Sequence, residues 1–163
     1  MIQRIQTVYL LLVAVLSFAG LVSQIGTYTV AEQMVASFSN FSFSSYDPCA
    51  SYQSTGPYAL GVLLILVIIL SGMSIMLFRH RMRQLRLTIL SSILLAGYIA
   101  VYAVFAYFYQ ENINQVLAPA DTATFHLRFV ALFPVLSLIL NAMAIHGIRK
   151  DEALVRSLDR LRG

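Results

Sequence analysis

Residues 57–86, PYALGVLLILVIILSGMSIMLFRHRMRQLR, join a long apolar run to a short, strongly basic segment. The apolar part extends from Pro57 to Phe78 and contains no Asp, Glu, Lys or Arg. About 20 residues of helix cross the hydrocarbon core of a bilayer, so this run predicts a transmembrane helix, with Pro57 well placed at its start. The arginines that follow indicate which side of the membrane the end of this helix faces.

Three further uncharged runs of similar length occur, at residues 5–23, 87–109 and 129–148. The chain of 163 residues is 59% hydrophobic and 11% charged, whereas about a quarter of the residues in a typical soluble domain are charged. The sequence therefore predicts an all-α membrane protein, an antiparallel bundle of four transmembrane helices that forms one domain. The first run, with Arg4 before it, also resembles a signal peptide, but we expect it to be retained as a helix.

The basic residues predict the orientation of these helices. Ten of the eleven Lys and Arg residues lie before the first span, in the link at 79–86, or in the tail at 149–163. Only Arg128 lies in the opposite loops, 24–56 and 110–128, which carry four acidic residues. Because cytoplasmic loops are enriched in Lys and Arg, both termini are predicted to be cytoplasmic. Topology and contact with membrane lipids thus account for the net charge of +4, and we expect no nucleic-acid partner.

The longer outer loop, residues 24–56, contains two stretches rich in β-forming residues. GTYTV (26–30) and SFSNFSFSSY (37–46) alternate aromatic or branched residues with small polar ones. This pattern favours one or two strands, such as a short β-hairpin, over the outer face of the bundle, although it also fits an aromatic loop resting at the lipid head groups. YDPC (46–49) is predicted to form a turn, and its Cys49 is the only cysteine, which excludes an intrachain disulfide.

The tail is predicted to be a cytoplasmic amphipathic helix, because leucines recur on one helical stripe. It holds five basic and three acidic residues, whereas a helix that binds only lipid is usually more one-sidedly cationic. Docking on another protein or on the bundle itself is therefore favoured, and adhesion to the membrane surface is the alternative. The residues proposed for partner docking are Arg149, Lys150, Asp151, Glu152, Leu154, Arg156, Leu158, Asp159, Arg160 and Leu161.

Both ends of the chain resemble a known family. MIQRIQTVYLLL (1–12) and IRKDEALVRSLDRLR (148–162) are similar to the terminal motifs of an uncharacterised family of Bacteroidota inner-membrane proteins, domain of unknown function 4293. The resemblance covers essentially the whole chain and implies a bacterial cytoplasmic membrane protein with four spans. It implies no activity. The residues that match the motifs, none with a known chemical role, are Gln3, Arg4, Gln6, Arg149, Lys150, Asp151, Glu152, Arg156, Asp159 and Arg160.

Small and polar residues inside the spans predict how the helices pack. A small-xxx-small row on the third span permits close approach of a neighbouring helix. Asn141 on the fourth span needs hydrogen-bond partners because hydrocarbon supplies none, and Ser91, Ser92 or the backbone of Leu95 are predicted within its reach. The residues proposed for intramembrane packing are Ser92, Ala96, Tyr98, Ala100, Tyr102, Ser137 and Asn141.

Two alternatives concern the same region. Asn141, Tyr98 and Tyr102 would line a small polar cavity for a ligand if they were not packing residues. Ser137 is expected at the level of Tyr98, and Pro134 is expected to kink the fourth span, which would open part of this face.

No pattern in the sequence predicts catalysis. HExxH, CxxC, GxSxG and Gly-rich phosphate motifs do not occur, and no carboxylate lies within a span, where proton coupling usually requires one. His126 and His146 are about 30 Å apart along the fourth span. His80 and His146 are predicted at the same cytoplasmic level, so a bis-His site there is the one redox alternative. We expect no enzyme activity, metal or cofactor.

The favoured function is that of a non-enzymatic interaction protein. It would be an accessory subunit or adaptor of an inner-membrane complex, docking other membrane or cytoplasmic proteins through its tail. A small transporter, channel or lipid-handling protein is the alternative and would need a polar path through the bundle. A cofactor-binding redox subunit is a more distant alternative.

Overall fold

A computed structural model describes residues 2–30, 33–45, 57–77, 80–116 and 124–162 of the chain. The helices are α1 (Ile2–Val22), α2 (Tyr58–Met76), α3 (Arg81–Val116) and α4 (Phe133–Arg162), and a 3₁₀ helix, Phe129–Leu132, leads into α4. The strands are β1 (Gln24–Val30), β2 (Gln33–Ser39), β3 (Phe43–Ser45) and β4 (Thr124–Leu127). The turn predicted at 46–49, with Cys49, lies outside the described residues.

Each of the four helices includes a segment long and apolar enough to cross a membrane. These segments are Ile5–Val22, Tyr58–Met76, Arg81–Gln115 and Phe129–Ala153, the last of which includes the 3₁₀ helix. Large apolar side chains stay exposed along all of them, for example Phe18, Ile69, Ile93 and Ile139. An exposed apolar surface of this extent is unusual for a protein surrounded by water. The fold is therefore compatible with a multi-pass membrane protein.

The four helices form a closed bundle in which each helix packs against two others, α1 and α3 both lying against α2 and α4. Gln6 near the start of α1 contacts Asp151 in the second half of α4, and Ser74 near the end of α2 contacts Thr88 near the start of α3, so these neighbours run antiparallel. Buried residues recur at alternating steps of four and three, the spacing of left-handed helix bundles. On α1 they are Gln6, Leu10, Val13, Ser17 and Gly20.

A four-stranded antiparallel sheet accompanies the bundle, with strand order β3-β2-β1-β4. The all-α prediction is therefore incomplete, and the sheet is larger than the predicted hairpin. Both outer loops contribute to it, because β4 comes from the second loop and pairs with β1 through, for example, Gly26 and Leu127. A four-residue segment shows too little alternation to be recognised alone, since strand preference depends on the neighbouring strand.

Aromatic contacts fix the sheet to α3. The rings of Phe43 and Tyr109 stack with centroids 4.4 Å apart, and Phe38 lies 5.6 Å from the same Tyr109 ring. The hydroxyl of Tyr28 donates a hydrogen bond of 2.9 Å to the carbonyl of Ala106. The sheet thus covers one end of the bundle, which we call the sheet end. The opposite end, where α3 begins at Arg81, is called the basic end.

α3 is longer than the predicted span. Its 36 residues measure about 54 Å, against roughly 30 Å for the hydrocarbon core. The segment from Gln110 to Val116, predicted to belong to a loop, continues the helix because Tyr109 and Ile113 are buried beside the sheet. Most helical stability in proteins comes from such packing rather than from local preference.

α4 is one continuous helix from Phe133 to Arg162. The tail, predicted as an amphipathic helix, is therefore helical to Arg162 and continuous with the fourth span. Pro134, expected to kink the fourth span, is the second residue of α4, and proline is tolerated in the first turn of a helix because its missing N–H would have no partner there.

Candidate functional site

Polar side chains from several helices lie in the interior of the bundle. Asn141 is completely buried, and its Nδ2 donates a 3.0 Å hydrogen bond to Oγ of Ser91, one of the three partners suggested by the sequence. Among the described residues, the Asn141 Oδ1 atom and the hydroxyls of Ser17, Ser71 and Ser137 are buried without a partner. The interior therefore has polar groups from α1, α2 and α4 close to its middle, where unpaired polar atoms are unfavourable.

A second polar contact joins α2 to α3 nearer the basic end. The hydroxyls of Ser74 and Thr88 are 3.0 Å apart, and Thr88 donates a 2.9 Å hydrogen bond to the carbonyl of Gln84 in its own helix. No sequence pattern singles out these residues. A serine or threonine in a transmembrane run often bonds only its own helix, so its type alone does not predict a contact between helices.

At the sheet end, Asn40 connects three parts of the fold. It follows β2, is completely buried, and donates from Nδ2 to the carbonyl of Gly20 at 2.7 Å. Its Oδ1 accepts a 2.9 Å hydrogen bond from the hydroxyl of Tyr98. The carbonyl of Gly20 is one of the last four in α1, which have no partner within the helix. Asn40 therefore holds the end of α1, the sheet and α3 together, a role that no local pattern predicts.

The small-residue row does not form the buried face of α3. Ser92 is half-buried and donates to the carbonyl of Thr88 in its own helix at 3.0 Å, and Ala96 and Ala100 are exposed. Because the outside of a helix in lipid is also apolar, hydropathy does not distinguish its buried face. The buried face instead includes Gln84, Thr88, Ser91, Leu95 and Tyr98 and, nearer the sheet, Tyr109 and Ile113.

The base of the tail is fixed to the bundle through Asp151. This residue is only 7% exposed, and its Oδ2 accepts a 2.8 Å hydrogen bond from Nε2 of Gln6. Its carbonyl accepts a 3.3 Å hydrogen bond from Nη1 of Arg81. Asp151 was proposed as a docking residue, but its carboxylate contacts α1 inside the protein.

The other docking candidates divide into two groups. Arg149 and Lys150 are exposed and Glu152 is half-buried. The exposed bases Arg149, Lys150, Arg83 and Arg86 give the basic end a positive surface. For the remaining candidates the structure describes the backbone of α4 but not the side chains, and these are Leu154, Arg156, Leu158, Asp159, Arg160 and Leu161.

A cavity of about 360 Å³ lies between α3, the 3₁₀ helix and the start of α4 at the sheet end. Tyr98 and Tyr102 line it, and the buried Tyr102 hydroxyl has no hydrogen-bond partner among the described residues. Asn141, expected to share a cavity with both tyrosines, is not among its lining residues and is bonded to Ser91 instead. The cavity that contains the two tyrosines is therefore mainly apolar.

The histidines give no sign of a shared site within the described part of the chain. His146 is exposed and lines a groove between α1 and α4 together with Gln6, whereas His80 precedes α3. Across the described ranges, no hydrogen bond or ring contact joins His80 to His146, and no group of three or more His, Cys, Asp and Glu side chains is placed to hold a metal ion.

Comparison with known families places nearly the whole chain in one group. Residues 2–161 match the family described as Domain of unknown function (DUF4293). A comparison with curated proteins finds no match. The match extends from the first to the last described helix, far beyond the two terminal motifs.

Proposed function

Since the chain belongs to the DUF4293 family of unknown function, we propose from its own residues that it is a non-enzymatic adaptor or accessory subunit of a membrane complex. It would reside in a bacterial inner membrane, with both termini in the cytoplasm, because ten of its eleven Lys and Arg residues lie on one predicted side. Docking would occur through the part of α4 that continues beyond the bundle. The length of α4 is the observation that carries this proposal.

The contacts of Asp151 show how far the neighbouring helices accompany α4. Arg81, which bonds the carbonyl of Asp151, is the first residue of α3. Gln6, which donates a hydrogen bond to the side chain of Asp151, lies four residues after Ile2, the first residue of α1. Four residues of helix measure about 6 Å. α4 continues for eleven residues after Asp151, to Arg162, or about 16 Å. Roughly its last 10 Å therefore extend past the starts of both neighbours.

A helix continuous with a membrane span leads away from the bilayer and does not lie along its surface, as an interfacial helix does. The leucines of the tail share one stripe by sequence, and on a helix in this position a protein surface would bury them better than lipid. The exposed Arg83, Arg86, Arg149 and Lys150 beside the tail favour a partner with acidic residues around an apolar groove.

The proposal is tested by comparing two faces of the tail. Leu154→Gln with Leu158→Gln alters the stripe, whereas Arg156→Gln with Arg160→Gln alters the opposite face. Burial of a leucine is worth about 1.5–3 kcal/mol, so loss of two should weaken binding by roughly 100-fold or more.

The measurement is photo-crosslinking in living cells from single positions 154, 158 and 156, followed by identification of the attached protein. We expect 154 and 158, but not 156, to label one cytoplasmic or membrane protein, and the stripe variant to abolish that labelling. Equal labelling from both faces, or attachment to lipid alone, would contradict the docking proposal.

The transport alternative would require a continuous polar path. Toward the sheet end from the buried Asn141, the completely buried Leu64, Val67 and Leu95 share the interior with the hydroxyls of Ser17 and Ser137. This interior is mainly apolar, which favours the adaptor proposal over a channel.

A further inference from the structure

The cavity at the sheet end has the size and lining of a site for a hydrocarbon chain. Its volume of about 360 Å³ falls within the range of small-molecule sites in proteins, roughly 300–1,000 Å³. The walls are mainly apolar and include Ile25 of β1, Ile99 of α3 and Leu132 of the 3₁₀ helix. A polar metabolite would leave its hydrogen-bonding groups unpaired against such walls, so an acyl chain is the ligand class that fits them.

One cation lies at the mouth of this cavity. Arg128 lines it and is the only Lys or Arg between Arg86 and Arg149. Its backbone is held on both sides, because its N–H donates to the carbonyl of Ile25 at 3.0 Å and its carbonyl accepts from the N–H of Ala131 at 2.9 Å. The side chain is exposed, and no carboxylate of the described residues forms an ion pair with it.

The depth of these groups in the membrane matches the shape of a lipid. Arg128 directly precedes the apolar segment that begins at Phe129, so it lies at the level of the lipid head groups when that segment spans the bilayer. The lining residue Val135 is seven residues further along the chain, about 10 Å deeper if helical rise applies. A head group at the mouth and an acyl chain running inward would follow this axis.

We propose that the cavity binds an acyl chain of an anionic phospholipid, whose phosphate pairs with the guanidinium of Arg128. Guanidinium groups bind phosphate oxygens through two parallel hydrogen bonds, and a head group without a cation of its own leaves that phosphate available. Tyr98 and Tyr102 form part of the wall beside the chain. This role concerns the sheet end and is independent of docking by the tail.

Native mass spectrometry of the intact protein, released from detergent with defined lipids, tests the site. The probes are phosphatidylglycerol and phosphatidylcholine with identical acyl chains, and oleate as a free fatty acid. We expect one tightly bound phosphatidylglycerol per chain, with weaker binding of the other two. Arg128→Gln should reduce the phosphatidylglycerol affinity by about 10–100-fold, the range for loss of hydrogen bonds to a charged group. Arg83→Gln, an exposed arginine at the basic end, is the matched control and should leave that tightly bound lipid in place.

A second variant tests the cavity separately from its charge. Ala131→Phe places a ring in the lining and should lower binding of both phospholipids, while an unchanged far-ultraviolet circular dichroism spectrum shows that the fold is kept. If neither Arg128→Gln nor Ala131→Phe changes lipid binding, the bound lipid only surrounds the bundle, and the proposal is overturned. Oleate binding as tightly as phosphatidylglycerol would overturn the assignment to a phospholipid.

Discussion

Asn40→Ala should lower the free energy of unfolding by between about 2 and 6 kcal/mol. Asn40 is completely buried, and its two shortest hydrogen bonds join it to the carbonyl of Gly20 at 2.7 Å and the hydroxyl of Tyr98 at 2.9 Å. A buried donor or acceptor left without a partner costs roughly 1–3 kcal/mol, and the alanine variant leaves one of each. The same change releases the end of α1 from the sheet.

The assay is unfolding in mixed micelles with increasing sodium dodecyl sulfate, followed by circular dichroism. Gln33→Ala is the control, since it removes an exposed amide from β2 and should change stability by no more than about 0.5 kcal/mol. A double-mutant cycle with Tyr98→Phe isolates the hydroxyl contact, and we expect a coupling energy of at least about 1 kcal/mol. Additive effects of the two substitutions, or an Asn40→Ala variant as stable as Gln33→Ala, would refute this reasoning.

Two further predictions concern the sheet end. Gly61→Ala should destabilise the fold by about 1–3 kcal/mol, because a Cβ atom there would overlap the ring of Phe41. Thermal unfolding should show no such loss of stability when Gly61→Ala is made in a Phe41→Ala background. Gly72→Ala should show none either, because a Cβ atom at that position meets open space. Burial raises the pKa of Tyr28 in the folded chain above its ordinary value. The protonated phenol therefore stabilises the folded state fully below about pH 10. This stabilisation is lost as the pH rises further, because the phenol ionises first in the unfolded chain. Across this alkaline range, the free energy of unfolding should fall less steeply with pH for Tyr28→Phe than for the native chain. Parallel curves would show that Tyr28 does not cause the pH dependence.

Local sequence predicted the helices better than their ends. Each span is apparent from one uninterrupted apolar run, because transfer of a helix into hydrocarbon depends on the residues of that run alone. The ends of α3 and α4 are different. α3 reaches Val116 because Tyr109 and Ile113 pack beside the sheet, and α4 continues past the end of the predicted span at residue 148 to Arg162.

The candidate sites were predicted in part. Asn141 could be singled out because a carboxamide in an apolar run needs a partner, and Ser91 is that partner. In the sequence, Arg128 is distinguished only as the single basic residue predicted on the outer side of the membrane. The cavity beside it forms only when the fold brings β1, α3 and the 3₁₀ helix together. Asn40 had no distinguishing local signal, because its importance comes from Gly20 and Tyr98.

By itself, the sequence determined that this chain has four apolar helices, a family membership and a strong asymmetry of basic charge. These properties are sums over neighbouring residues, so they can be obtained without knowing which segments meet. Only the tertiary structure decided that β4 completes the sheet beside β1, that Asp151 bonds Gln6 across 145 residues, and which face of α3 is buried. Such contacts depend on partners distant in the chain, and in helices that are apolar on every side no periodic pattern identifies those partners.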